Sequence, residues 1–67
     1  MEITLNNRQE TIDREYLTVQ ELLKYKNFTF RMLVIKINGK LIKKDKYDSA
    51  TIKNGDIVMV MHLVSGG

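Results

Sequence analysis

The sequence predicts a two-layer α+β domain, a mixed sheet of four to five strands packed on one helix. Three observations carry that prediction. Polar and apolar residues alternate at the start of the chain, Glu2 to Asn6; a capped amphipathic stretch begins at Thr18; β-branched and apolar runs follow at 33–37 and 57–64. The hydrophobic period therefore passes from 2 to 3.6 and back to 2 once, so the chain does not alternate strands and helices as a parallel α/β fold does.

Each element has a local reason. Glu2-Ile3-Thr4-Leu5-Asn6 has the period of a strand with one buried face, and Asn6-Asn7-Arg8 supplies a tight turn because asparagine tolerates left-handed backbone angles. The stretch from Gln9 to Asp13 returns beside it as a hairpin. Thr18-Val19-Gln20-Glu21 has the spacing of a capping box, with Leu17 placed to staple onto Leu22. Val19, Leu22 and Leu23 recur at helical spacing, Glu21 stands three residues before Lys24 for a surface pair, and Asn27 is a stop signal. At two to three turns the helix depends on docking against a sheet.

Leu33-Val34-Ile35-Lys36-Ile37 forms the next strand, and Asn38-Gly39 turns it into Lys40-Leu41-Ile42. Asp45 to Ser49 is polar and loop-like, with Tyr47 as a plug for the core, and Asn54-Gly55-Asp56 makes another turn. Ile57 to Val64 is apolar on consecutive residues, which predicts a central strand paired on both edges and covered by the helix on one face.

Composition narrows the function. The 67 residues make a single domain, 1–67, in which residues 65–67 form a flexible tail. A core this small yields roughly 3–5 kcal/mol of net stability. With no cysteine and one histidine, disulfides and most zinc sites are excluded, which fits a reducing, cytoplasmic setting. No apolar run approaches the roughly 20 residues that span a bilayer, so no membrane role is expected. Phosphate-binding loops, paired histidines and nucleophile–base sets are also missing, and catalysis by this chain alone is not expected. His62 is most simply a strand histidine bonded to its neighbours.

Eleven Lys and Arg against eight Asp and Glu give a net charge of +3, and Lys36, Lys40, Lys43, Lys44, Lys46 and Lys53 lie in one stretch. Such a cluster fits an anionic partner, either nucleic acid or an acidic protein face, or a solvated surface that resists edge-to-edge aggregation. Arginine is absent from it and no aromatic ladder accompanies it, so no nucleic-acid partner is expected.

The C-terminus carries the chemical signal. Gly66-Gly67 follows the long apolar strand directly, and two glycines there arise by chance only about 0.5% of the time if glycine is about 7% of residues. Glycine lets a backbone pass through a narrow channel, and the three residues Ser65, Gly66 and Gly67 reach about 10 Å at full extension. That suits delivery of the Gly67 α-carboxylate into another protein's active site. A bare carboxylate is a poor electrophile and must first be activated, most simply as an acyl-adenylate. This implies an ATP-using partner, while the chain itself binds no cofactor.

At this point the chain resembles a known family, the ThiS-type sulfur carriers of thiamine biosynthesis. The likeness runs through the helix opening Thr18-Val19-Gln20-Glu21-Leu22-Leu23, the centre Val34 to Ile42, and the close from Asn54-Gly55-Asp56 to Ser65-Gly66-Gly67. The resemblance implies a ubiquitin-like β-grasp fold and a protein co-substrate rather than an enzyme. It further implies that Gly67 is adenylated by an E1-like, ThiF-type adenylyltransferase, that a persulfide sulfur donor protein converts it to a thiocarboxylate, and that a ThiG-type thiazole synthase receives the sulfur. Gly66 and Ser65 serve as the slim approach to the reactive end, although the family often has Gly or Ala where Ser65 stands and Pro-Arg where Lys43-Lys44 stand.

The family register turns Val58 and Val60 toward the helix and leaves Ile57, Met59 and Met61 outward, whereas periodicity favours burying the more apolar odd-numbered set. Under the family register Met59, Met61, Leu63 and Val64 form a partner-binding surface beside the tail. Other readings remain open: a molybdopterin-synthase small-subunit-like carrier, conjugation to protein lysines, or a small basic nucleic-acid-binding module.

Overall fold

In the computed structural model, which describes residues 1–29 and 32–63, two turns rich in asparagine set the register of the outer hairpins. Strand β1 (Glu2–Leu5) pairs antiparallel with β2 (Arg8–Thr11), Leu5 opposite Arg8. The two loop residues, Asn6 and Asn7, have φ of 51° and 66°, the left-handed angles that a two-residue hairpin demands. Strand β4 (Leu33–Ile37) pairs with β5 (Lys40–Ile42) in the same way, with Asn38 and Gly39 at φ 51° and 84°.

The helix is fixed at both ends. Strand β3 (Tyr16–Thr18) runs straight into α1 (Val19–Tyr25). The Glu21 backbone N–H donates to Thr18 Oγ1 at 3.1 Å and the Thr18 N–H donates to Glu21 Oε1 at 2.9 Å, so the capping box forms. Glu21 does not pair with Lys24 as its spacing suggested. Its carboxylate is turned back to the cap and meets Arg14 at 3.3 Å. At the other end Asn27 adopts φ 58°, while the N–H of Phe28 donates to Leu23 O and that of Asn27 to Lys24 O. This is a Schellman ending, and it brings Phe28 over Leu23.

Strand β7 (Ile57–His62) lies at the middle of a five-stranded sheet in the order β2-β1-β7-β4-β5, parallel to β1 and antiparallel to β4. The expected central position and the mixed sheet are both present. Ile35, Val58 and Val60 of this sheet pack with Val19, Leu22 and Leu23 of the helix in one buried cluster, closed by Tyr47. Burial pushes the Tyr47 phenol above its ordinary pKa. Leu17 and Leu22, the expected staple, are both in that cluster.

Two details differ from the sequence reading. The segment expected to be a loop opens with one turn of 3₁₀ helix at Lys44–Lys46, and a second, two-stranded sheet joins β3 to β6 (Thr51–Lys53). That small sheet places Leu17 opposite Ile52, both buried.

Candidate functional site

Cross-strand pairing decides which side of the sheet meets the helix. Ile35 stands opposite Val60 and Ile37 opposite Val58, and these residues face the core. Their neighbours Val34, opposite Met61, and Lys36, opposite Met59, therefore share the outer face, where Leu41 stands opposite Lys36. The family register is the one adopted: Val58 and Val60 are buried, Met59 is half-buried, and Ile57, Met61 and Leu63 are exposed. Periodicity misjudged the face because the outer side is itself apolar.

An asparagine helps lock this register. The Asn6 N–H donates to Val58 O at 2.9 Å, and Asn6 Oδ1 accepts from the Val60 N–H at 2.8 Å. A side chain thus extends the pairing past the end of β1 by one rung. Beyond Val60 the described strand leans on β4, through Met61 opposite Val34, His62 opposite Leu33, and the Leu63 N–H donating to Met32 O at 2.9 Å.

The outer face is consequently an apolar strip, Ile57, Met59, Met61 and Leu63, widened by Val34 and Leu41 and interrupted by Lys36. Leu41 is 58% exposed, Leu63 47% and Met61 38%, too much large apolar surface to leave without a purpose on so small a domain. Sequence reasoning found Met59, Met61 and Leu63 but missed Val34 and Leu41. Their signal was present: both fall one residue out of step with the core-facing Ile35, Ile37 and Ile42.

Val64, Ser65, Gly66 and Gly67 lie outside the described residues, so the structure locates the strand that leads to them and not the residues themselves. Among the described residues no group of three or more His, Cys, Asp or Glu is placed to hold a metal ion, and no helix is long and apolar enough to cross a membrane.

Residues 1–67, the whole chain, match the ThiS family. The chain belongs to that family. The same conclusion comes from solved structures. It is 30% identical to the thiamine biosynthesis protein ThiS of Geobacter metallireducens in its crystal structure, covering 100% of both chains with a TM-score of 0.90. The solution structure of a thiamine biosynthesis protein from Geobacter metallireducens is also 30% identical, with a TM-score of 0.76, 100% of this chain and 88% of that one covered. The fold is accordingly the ubiquitin-like β-grasp, a five-stranded mixed sheet on one helix.

Proposed function

We propose that this ThiS-family chain is a sulfur carrier of thiamine biosynthesis whose reactive group is the α-carboxylate of Gly67. The observation that carries the reading is the match to the ThiS family over the whole chain, Gly66-Gly67 included. Two structural features support it. The strand leading to the tail is the central one, held by neighbours on both sides as far as Val60, and its outward face is apolar and open to a partner.

The chemistry needs a second protein at each stage. On a ThiF-type adenylyltransferase the Gly67 carboxylate attacks the α-phosphorus of ATP, forming an acyl-adenylate and releasing pyrophosphate. The terminal sulfur of a donor persulfide then attacks the acyl carbon and displaces AMP. A thiol cleaves the resulting S–S bond, becoming disulfide-linked to the donor and leaving a thiocarboxylate on Gly67. A ThiG-type thiazole synthase takes that sulfur. The chain acts as co-substrate throughout: it supplies the carboxylate, the slim Ser65-Gly66 approach, and the docking face of Met59, Met61, Leu63 and Val64.

Mass spectrometry tests the proposal directly. Incubation with the activating enzyme of the same genome, ATP and a persulfide donor is expected to exchange one oxygen for sulfur in the intact chain. Deletion of Gly67 is expected to abolish the exchange. A wild-type chain that stays at its original mass, or a truncated one that still gains sulfur, rules the proposal out.

A further inference from the structure

Charge is segregated along this chain. Up to position 21 there are five acidic residues and two arginines; beyond it there are nine Lys and Arg against three aspartates. The ion pairs among the described residues are Arg14–Glu21 at 3.3 Å and Lys26–Glu10 at 2.7 Å, which draw the acidic half onto α1 and leave the lysines of the β4–β5 side uncompensated. No lysine of the cluster singled out in the sequence forms an ion pair among the described residues.

Part of that cluster rims a groove. Between the C-terminal half of α1 and the edge strand β5 lies a cleft of about 810 Å³ whose apolar floor includes Leu23, Leu41, Ile42 and Leu63. Lys24 from the helix and Lys43 and Lys44 from the segment after β5 stand along it, and no Asp or Glu lines it among the described residues. Asp45, the next residue along, is exposed in the 3₁₀ turn and does not line the cleft. The Schellman ending of α1 builds one wall, since it fixes Phe28 beside Leu23. The groove opens beside Leu63, where the described part of the chain ends on its way to the tail.

We infer that this groove, which meets the outer sheet face at Leu41 and Leu63 and runs from there to the helix, is a docking surface for an acidic segment of a partner protein. That segment places a large apolar side chain against Leu23 and Leu41 and carboxylates against Lys24, Lys43 and Lys44. Charge complementarity selects the occupant. Three cations without counter-charges around an apolar floor fit carboxylates flanking a hydrophobic anchor. A nucleic acid fits less well, because the floor is mainly aliphatic and the cations lining it among the described residues are lysines, which do not grip phosphate in two-pronged fashion. The inference rests on the sulfur-carrier reading for the choice of partners: the activating enzyme, the thiazole synthase, or both.

The test measures association of the full chain with the purified ThiF-type enzyme and, separately, the ThiG-type synthase of the same genome. Wild type is compared with a Lys24→Glu/Lys43→Glu/Lys44→Glu variant and with Leu41→Asp. All four side chains are exposed, and circular dichroism verifies folding. For at least one partner, charge reversal is expected to slow association about tenfold or more at low salt and to flatten its salt dependence. Leu41→Asp is expected to speed dissociation.

Association of the triple variant at the wild-type rate with both partners overturns the inference, as does failure of the wild-type chain to bind either. So does a labelled oligonucleotide that binds wild type and not the triple variant while protein association stays unchanged. The sulfur-carrier reading fails differently: a chain that binds its partner through the groove and never gains sulfur leaves this inference standing and removes that one.

Discussion

The two ends of β7 are built in opposite ways. At the start of the strand, polar side chains close every nearby turn. Asp56 accepts from the Lys53 N–H at 2.9 Å and from Asn38 Nδ2 at 3.1 Å, Asn38 Oδ1 accepts from the Ile57 N–H at 2.9 Å, and Asn54 Oδ1 accepts from the Glu2 N–H at 2.7 Å. At the far end Met61 and Leu63 are exposed, and the described pairing past Val60 is with β4. One end spends its side chains on holding the fold together. The other presents apolar surface outward, which contributes little to folding and is the face that the proposed function gives to partners.

Substitutions can break or sharpen this contrast. The largest effect belongs to the core that both ends share. Leu22→Ala or Ile35→Ala, each at a fully buried site, is expected to cost about 2–5 kcal/mol. Set against a total of roughly 3–5 kcal/mol for a domain of this size, urea titration at 25 °C should show a midpoint lowered by about half or more, with unfolded chain already present without urea at the upper end of that cost. Next comes the clamped end. Asp56→Ala removes two solvent-exposed hydrogen bonds and is expected to lose about 1–2 kcal/mol, while association of the folded fraction with its partners stays at the wild-type level. A variant that keeps its urea midpoint would mean the side-chain clamp is ornamental.

Thr18→Ala removes the helix cap and is expected to lower stability by about 1 kcal/mol, again without touching partner binding. Met61→Glu should do the reverse. Its stability is expected to stay within about 0.5 kcal/mol of wild type, whereas association with the activating enzyme falls at least about tenfold. If Met61→Glu unfolds the chain instead, the strip belongs to folding and the contrast disappears.

The smallest effect is one of pH. The Thr18 backbone N–H, and then Arg14, hold the Glu21 carboxyl below the usual carboxylate range. Because the folded state lowers this pKa, the stabilisation is present above the ordinary glutamate range and is lost as pH falls through the folded value. Glu21→Gln should therefore reduce stability slightly at neutrality and by the same amount at higher pH, and flatten the acid limb of a stability–pH profile.

Much of this was legible in the amino acids, for identifiable reasons. Asn6-Asn7 and Asn38-Gly39 are turns whose left-handed angles few other residues tolerate, and Thr18 to Glu21 caps a helix by its own spacing. The pairing of β3 with β6 was not legible. Each is three residues long with one buried side chain, Leu17 or Ile52, so neither shows a period, and their partnership is made only when the chain has folded between them. The 3₁₀ turn at Lys44–Lys46 was hidden for a similar reason, since it buries nothing of its own. The apolar outer strip was half legible: methionines signalled it, but Val34 and Leu41 join it only through registers that sequence spacing does not contain. The groove needed more still, because Lys24 and Lys43 are brought to one rim from separate elements.

The single rung that Asn6 adds to β7 marks where the strand stops being gripped from two sides. Past it, residues 61–63 can unzip from β4 while the core stays shut, as weakly held segments do in local opening. Only three described rungs tie that stretch to the sheet, Met61 to Val34, His62 to Leu33 and Leu63 to Met32, so its opening is a local event that leaves the body of the domain intact.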